Sequence, residues 1–213
     1  MAYTSEQVWT AAAVAQRHNG GYVKYDLMNF DATPPTVIKV NSKALMRDVL
    51  EGKFDSTPAD TELGLKARDH FRGKVMDILV GKANPFIQSA VNAANKEEFD
   101  ERKDRLDLAI IASLIQSYER DMKREIVDDR RRELGATGHV GKPGERIEGD
   151  FTILSITYSQ KYNCYCVNAE GNNHAFFFFL KQKVEQGKNY KLKGTVKAHR
   201  DEGVTQLNRV KVL

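Results

Sequence analysis

The last third of the chain sets flat side chains among cations. Lys161 and Tyr162 are followed by Tyr165 and by Phe176-Phe177-Phe178-Phe179, and Lys193, Lys197, His199, Arg200, Arg209 and Lys211 run through the remaining segment. Single-stranded nucleic acid asks for this combination. Cations track the phosphates, and rings carry stacked bases at about 1–3 kcal/mol each. The plain alternative is an ordinary solvated face of lysines, with one Phe pair filling a barrel core and the other packed against the N-terminal helices. Four consecutive Phe exposed on both faces of a strand would invite aggregation, so at least one side must be covered.

Other chemistries are poorly served. Cys164 and Cys166 share a strand face, with His174 on the next strand and His199 the nearest fourth ligand. No known zinc spacing fits that set, so small thiols in a packed strand are expected. Glu51-Gly52-Lys53, with Asp31 and Asp48 upstream, has the Glu-x-Lys form of some nucleases, but Gly52 reads better as a helix end. There is no phosphate-cradling Gly-rich loop ending in Lys-Ser/Thr, no His-Glu-x-x-His and no Gly-x-Ser-x-Gly. A protein without catalytic residues, metal or cofactor is expected.

The elements that position these residues fall into two parts. Residues 1–138 hold 21 Lys+Arg against 22 Asp+Glu, and residues 139–213 hold 12 against 7, so the formal charge of +4 lies in the second part. The change coincides with the Gly- and Pro-rich stretch 135–144. In the first part, Thr4-Ser5-Glu6-Gln7 is a capping box before an alanine-rich helix reaching about Arg17. Residues 22–27 and 36–40 suit a small hairpin or ordered loops, Asn41 or Ser42 caps a helix over 43–50, and helices are expected over 69–80 and 85–95. The strongest periodicity runs from 96 to 134, where Leu106, Ile110, Ile111, Leu114, Ile115, Tyr118, Met122 and Ile126 share an arc. That helix is expected to organise the first part or to form an oligomer seam. Its Asp128-Asp129-Arg130-Arg131-Arg132 end reads as a solvated tip, with the arginines a second candidate for phosphate or partner contact.

From Glu145 the period becomes two. Strands are expected over 147–158, 164–168, 175–180, 190–197 and 205–212, with hairpin-length links, and five short strands of this kind fit a small barrel. The chain is therefore expected to be α+β: a mainly helical domain with one long helix over 1–138, then an OB-like five-stranded barrel over 139–213.

Lys193-Gly194-Thr195-Val196-Lys197-Ala198-His199, followed by Gly203-Val204-Thr205-Gln206-Leu207-Asn208-Arg209-Val210-Lys211-Val212, resembles the closing segment of the OB-fold module of phage replication and single-stranded-DNA-binding proteins. Gln186-Gly187-Lys188-Asn189-Tyr190 is similar to that module's approach to its fourth strand. The likeness covers about the last 70 residues. It departs at the 180–190 link, too short for the helix many OB folds carry there, and at Val212-Leu213, which has none of the acidic tail that replication-type binders use for recruitment. The resemblance implies that the first loop offers Lys161 and Tyr162 and the last loop Lys197, His199 and Arg200. Between them the face offers Tyr165 and one outward Phe pair. Alternation allows either Phe176 with Phe178 or Phe177 with Phe179, and Phe176 and Phe178 are carried with Lys193, Arg209 and Lys211 as the expected nucleic-acid-binding set.

The expected function is sequence-tolerant binding of single-stranded DNA, or RNA, by an accessory protein of phage replication, recombination or transcription. The helical part would serve homo-oligomerisation or docking on a polymerase or replisome protein. The alternative is a protein–protein adaptor or polymerase cofactor with little nucleic-acid contact. The N-terminus lacks the features of a signal peptide and no apolar run reaches membrane length, so a cytoplasmic setting (the host cytoplasm for a viral protein) and no membrane partner are expected.

Overall fold

The computed structural model describes residues 2–213 and divides the chain into two units, the first ending at Asp121 and the second running from Met122 to Leu213.

In the first unit, strand β1 (Ala2–Thr4) leads into helix α1 (Ser5–Asn19). The capping box forms as the sequence suggests: Gln7 N donates to Thr4 Oγ1 at 3.2 Å and Thr4 N donates to Gln7 Oε1 at 2.9 Å. Val8, Trp9 and Ala11–Ala15 are buried, so α1 is the axis of the first core. Its alanines let neighbours approach closely. Gly64 of α3 (Pro58–Gly73) rests on it so tightly that a Cβ there would lie 2.6 Å from Trp9 O.

Beside α1 stands α2 (Ser42–Leu50), capped by Asn41, and α5 (Pro85–Ala94) packs on α3; α2 and α5 lie where the sequence expects them. The expected helix over 69–80 is corrected: α3 starts at Pro58 on a Thr57/Asp60 capping box and stops at Gly73, and Val75–Leu79 is a separate short helix, α4. Strands β2 (Leu27–Asn29) and β3 (Thr36–Lys39) form a small hairpin, its first strand beginning where the expected 22–27 segment ends, and β4 (Glu98–Asp100) pairs with β1. That strand displaces the start of the long helix, α6 (Arg105–Gly135), from the expected 96. Its apolar arc is also shorter than its periodicity implies. Ile111, Leu114 and Ile115 are buried, but Leu106 and Ile126 are 72% and 70% exposed.

The second unit is built on a closed barrel of β5 (Arg146–Ser159), β6 (Cys164–Gly171), β7 (His174–Leu180), β8 (Asn189–His199) and β9 (Thr205–Val212), in the order β5-β6-β7-β9-β8. The long β5 pairs with β8 through its first half and β6 through its second, and β7 pairs parallel with β9. The chain is thus α+β, with a C-terminal barrel compatible with an OB-like fold. No helix stands between β7 and β8. A two-residue turn with Asn172 and Asn173 both at positive φ closes the β6–β7 hairpin and fixes its register. Phe151, Ile153, Val167, Phe176, Phe178, Leu192 and Leu207 fill the interior. Among the described residues, no helix is long and apolar enough to cross a membrane.

One buried carboxylate ties α1 to α3. Asp60 accepts from Arg17 Nε at 2.9 Å and Nη2 at 3.0 Å, and from Thr57 N and Oγ1 at 2.8 Å each. Burial alone would raise this carboxyl, but the Arg17 and Thr57 hydrogen bonds together hold it below the usual range. A carboxyl depressed in the folded state stabilises above its unfolded pKa of about 3.9, and that contribution is lost as pH falls through the lower folded value. Asp60→Asn is expected to lower the urea midpoint at pH 7, with the difference from the parent protein shrinking as pH falls below the unfolded carboxyl value and vanishing only below the depressed folded one. Equal midpoints at pH 7 would remove Asp60 from the stability of the helical unit.

Candidate nucleic-acid interface

Register decides which side chains face outward on β6 and β7. Val167 stands opposite Phe178 and Ala169 opposite Phe176, on the inward face; Cys166 stands opposite Phe179 and Asn168 opposite Phe177, on the outward one. Phe176 and Phe178 are 3% and 0% exposed, so their expected stacking role is corrected: they pack edge-on against Phe151 inside the barrel. The outward pair is Phe177 and Phe179, with ring centroids 5.0 Å apart at 84°. Phe179 is 41% exposed, while Phe177 is half-buried.

The loop between β8 and β9 closes over this pair. The Arg200 guanidinium lies 4.1 Å from the Phe177 centroid, a cation–π contact that also presents its free edge to solvent. A groove of about 540 Å³ follows, lined by residues that include Arg131, Asn168, Phe177, His199, Arg200 and Glu202. His199 stacks on His139 with centroids 4.4 Å apart. Each ring donates to a backbone carbonyl, His199 Nε2 to Gly141 O at 2.9 Å and His139 Nε2 to Arg200 O at 2.7 Å. Residues 139–141 thereby hold the loop.

The end of α6 borders the groove, which the reading of a solvated tip did not anticipate. Arg130 grips Glu170 of β6 through two hydrogen bonds, at 3.0 and 2.5 Å, and Arg131 Nη2 donates to Glu202 at 2.9 Å. Leu134 is buried against Ala175 and Val204. Only Arg132 keeps the expected character, pairing with Asp129 on an exposed surface. Of the charged run that suggested solvent, Arg130 and Arg131 are the groups that dock.

The other expected residues are distributed differently. Lys161 lies 5.3 Å from the ring of Tyr162, which is 65% exposed on the turn between β5 and β6. Tyr165 is on the inward register, half-buried at the end of the barrel beside Tyr158, at 5.1 Å. Tyr158, 48% exposed, has a hydroxyl that donates to Asn163 at 2.6 Å and was not singled out because it ends a long strand. Lys193 and Lys211 are cross-strand neighbours on β8–β9, with Lys193 3.4 Å from Glu148. Arg209, at φ 51, and Lys197 occupy irregular positions of that same ladder. So the outward Phe pair, His199 and Arg200 come together, and Lys193 and Lys211 form a cross-strand cationic pair on the β8–β9 ladder that also carries Lys197 and Arg209.

The alternative chemistries also have places. The His174 ring is held by Thr137 Oγ1 and Gly138 O, apart from any role beside Cys164 and Cys166. Among the described residues, no group of three or more His, Cys, Asp and Glu could hold a metal ion. Lys53 Nζ pairs with Asp48 at 2.8 Å and Glu51 at 2.7 Å, an ion cluster at the end of α2. No protein-family model, curated protein or solved structure matches the chain.

Two backbones meet where α6 ends on the β8–β9 loop. A Cβ on Gly203, whose φ is 69°, would lie 1.9 Å from Gly135 O, whereas one on Gly149 would meet nothing within 4 Å. Gly203→Ala is expected to destabilise the protein by about 1–3 kcal/mol through overpacking and backbone strain. Gly149→Ala should remain within about 0.5 kcal/mol. Chemical unfolding of both variants checks the contact; equal stabilities would show that α6 does not seat on this loop.

Proposed function

We propose that the second unit binds single-stranded nucleic acid without sequence preference, on the outward face of β6 and β7 and the groove under the β8–β9 loop. The observation that carries this reading is the Phe177–Phe179 pair with Arg200 over one ring, facing outward beside a groove that also holds His199. Phe179 gives a base a surface to stack on, Arg200 and His199 meet phosphates, and Lys161 with Tyr162 extends the track from the neighbouring loop. A closed barrel of this strand order presents these strands and loops in OB folds that bind oligonucleotides, which supports the same placement. The narrower reading, an accessory protein of phage replication, recombination or transcription that recognises DNA, rests on the resemblance of the last strands.

A protein adaptor is the second reading, and one observation favours it. Asp201 and Glu202 line the same groove and reduce its positive charge. An adaptor would bind through the apolar Phe179 surface and respond weakly to salt.

Anisotropy with a labelled oligothymidine separates the two. Phe179→Ala is expected to weaken affinity about 5- to 100-fold, the equivalent of one stack. Arg200→Gln should lower the salt slope by about one unit. Lys193→Gln, on the β8–β9 ladder, should change affinity less than about twofold. Unaltered affinity in a folded Phe179→Ala protein would overturn the assignment. Absence of binding at low salt would favour the adaptor.

A further inference from the structure

A second cavity lies wholly within the first unit. It has a volume of about 380 Å³ and is walled by α2 and by the start of α6, with Lys43, Arg47 and Arg105 at its edge and Met46 and Leu108 in its floor. Glu101 is the only acidic residue in its lining, so three cations face one carboxylate. Among the described residues, the side chains of Lys43 and Arg105 have no hydrogen-bond or ion-pair partner. Arg47 has only a loose contact with Glu51 at 3.7 Å. The floor is apolar and closed, Met46 being 1% and Leu108 6% exposed.

These features select a ligand. Lys43 and Arg105, collected without partners beside Arg47, cost self-repulsion, which an anion would relieve. A surplus of two positive charges matches a phosphate monoester, which carries about −1.5 to −2 at pH 7, better than a carboxylate. Two arginines add the planar donors that suit phosphate oxygens. The volume falls within the range of small-molecule sites and far exceeds a bare phosphate, and the apolar floor calls for an organic body. The α2 N-terminus is not the attractor, since the N–H groups of Lys43 and Ala44 are already taken by Asn41 Oδ1 at 3.0 and 3.1 Å.

The geometry points to a binding site for a nucleoside monophosphate in the helical unit, its phosphate held by Lys43, Arg47 and Arg105 and its base against the partly exposed Ala44 and Leu50 above the buried Met46 and Leu108. The phosphate comes either from a free nucleotide or from the 5′ end of a strand. The site belongs to the first unit and owes nothing to the barrel reading.

Calorimetric titration of the full chain with deoxyadenosine monophosphate tests it. One site per chain is expected, weakened at least about tenfold by Lys43→Gln with Arg105→Gln and at least about tenfold by removing the phosphate from the ligand. Glu101→Gln, which removes the opposing charge, should tighten binding about two- to fivefold and keeps the test informative if the double variant does not fold. A 5′-phosphorylated dinucleotide identifies the source: binding equal to that of the mononucleotide assigns the site to strand ends, and exclusion of the dinucleotide assigns it to free nucleotides. No binding at millimolar concentration, affinity unchanged in both variants, or inorganic phosphate binding as tightly as the nucleotide would each overturn the proposal.

Discussion

The candidate interface depends on the register of β6 against β7. A two-residue turn at Asn172-Asn173 leaves no freedom to slip, so Ala175 must oppose Glu170 and each later pair follows. A slip of one residue would turn every side chain over, exposing Phe176 and Phe178 and burying Phe177 and Phe179. The barrel interior enforces the same choice. Phe151 meets both inward rings in T-shaped contacts, and Val167 and Ala169 leave room beside them. Core and surface are therefore two outcomes of one hydrogen-bonding pattern, and four consecutive Phe serve two tasks without exposing both faces.

The same register sets where α6 ends. Ala175 and Glu170 are small and charged neighbours on the outward face; the first accepts Leu134 and the second accepts Arg130. Farther along the hairpin, Phe177 takes Arg200 over its ring, and Phe179 is left exposed. The outward face is covered at its turn end and open at its other end. That gradient limits the accessible aromatic surface to Phe179 and the edge of Phe177, and it places Arg131 and Arg200 on the walls of one groove. The fold itself holds the Arg200 cation over the Phe177 ring, which leaves less to be ordered when a ligand binds at such a face.

Much of the architecture was legible in the sequence. The switch from a period near 3.6 to a period of two near Glu145 marks the barrel, and Thr4, Asn41 and Pro85 mark helix starts that the structure keeps. Thr57-Pro58-Ala59-Asp60 carries an equally good start signal, but weak apolar periodicity after it hid α3 until residue 69. Leu106 and Ile126 show the limit of periodicity in the other direction, since an apolar residue on the right arc stays exposed where no partner lies opposite. For the site, the loops holding Lys161, Tyr162, His199 and Arg200 were readable, and the choice between Phe pairs was not, because alternation gives two faces without saying which is inside. The docking of Arg130 and Arg131 was hidden because partners 40 and 71 residues away leave no local pattern.

The central claim is that strand contact falls on the outward β6–β7 face and its two loops. Ultraviolet crosslinking of the full chain to oligothymidine, followed by mass-spectrometric mapping, tests it most directly. Crosslinks are expected at Phe179, at Tyr162 and in the β8–β9 loop around His199 and Arg200. Crosslinks confined to the Lys193–Lys211 pair or to the helical unit, or none at low salt, would contradict it.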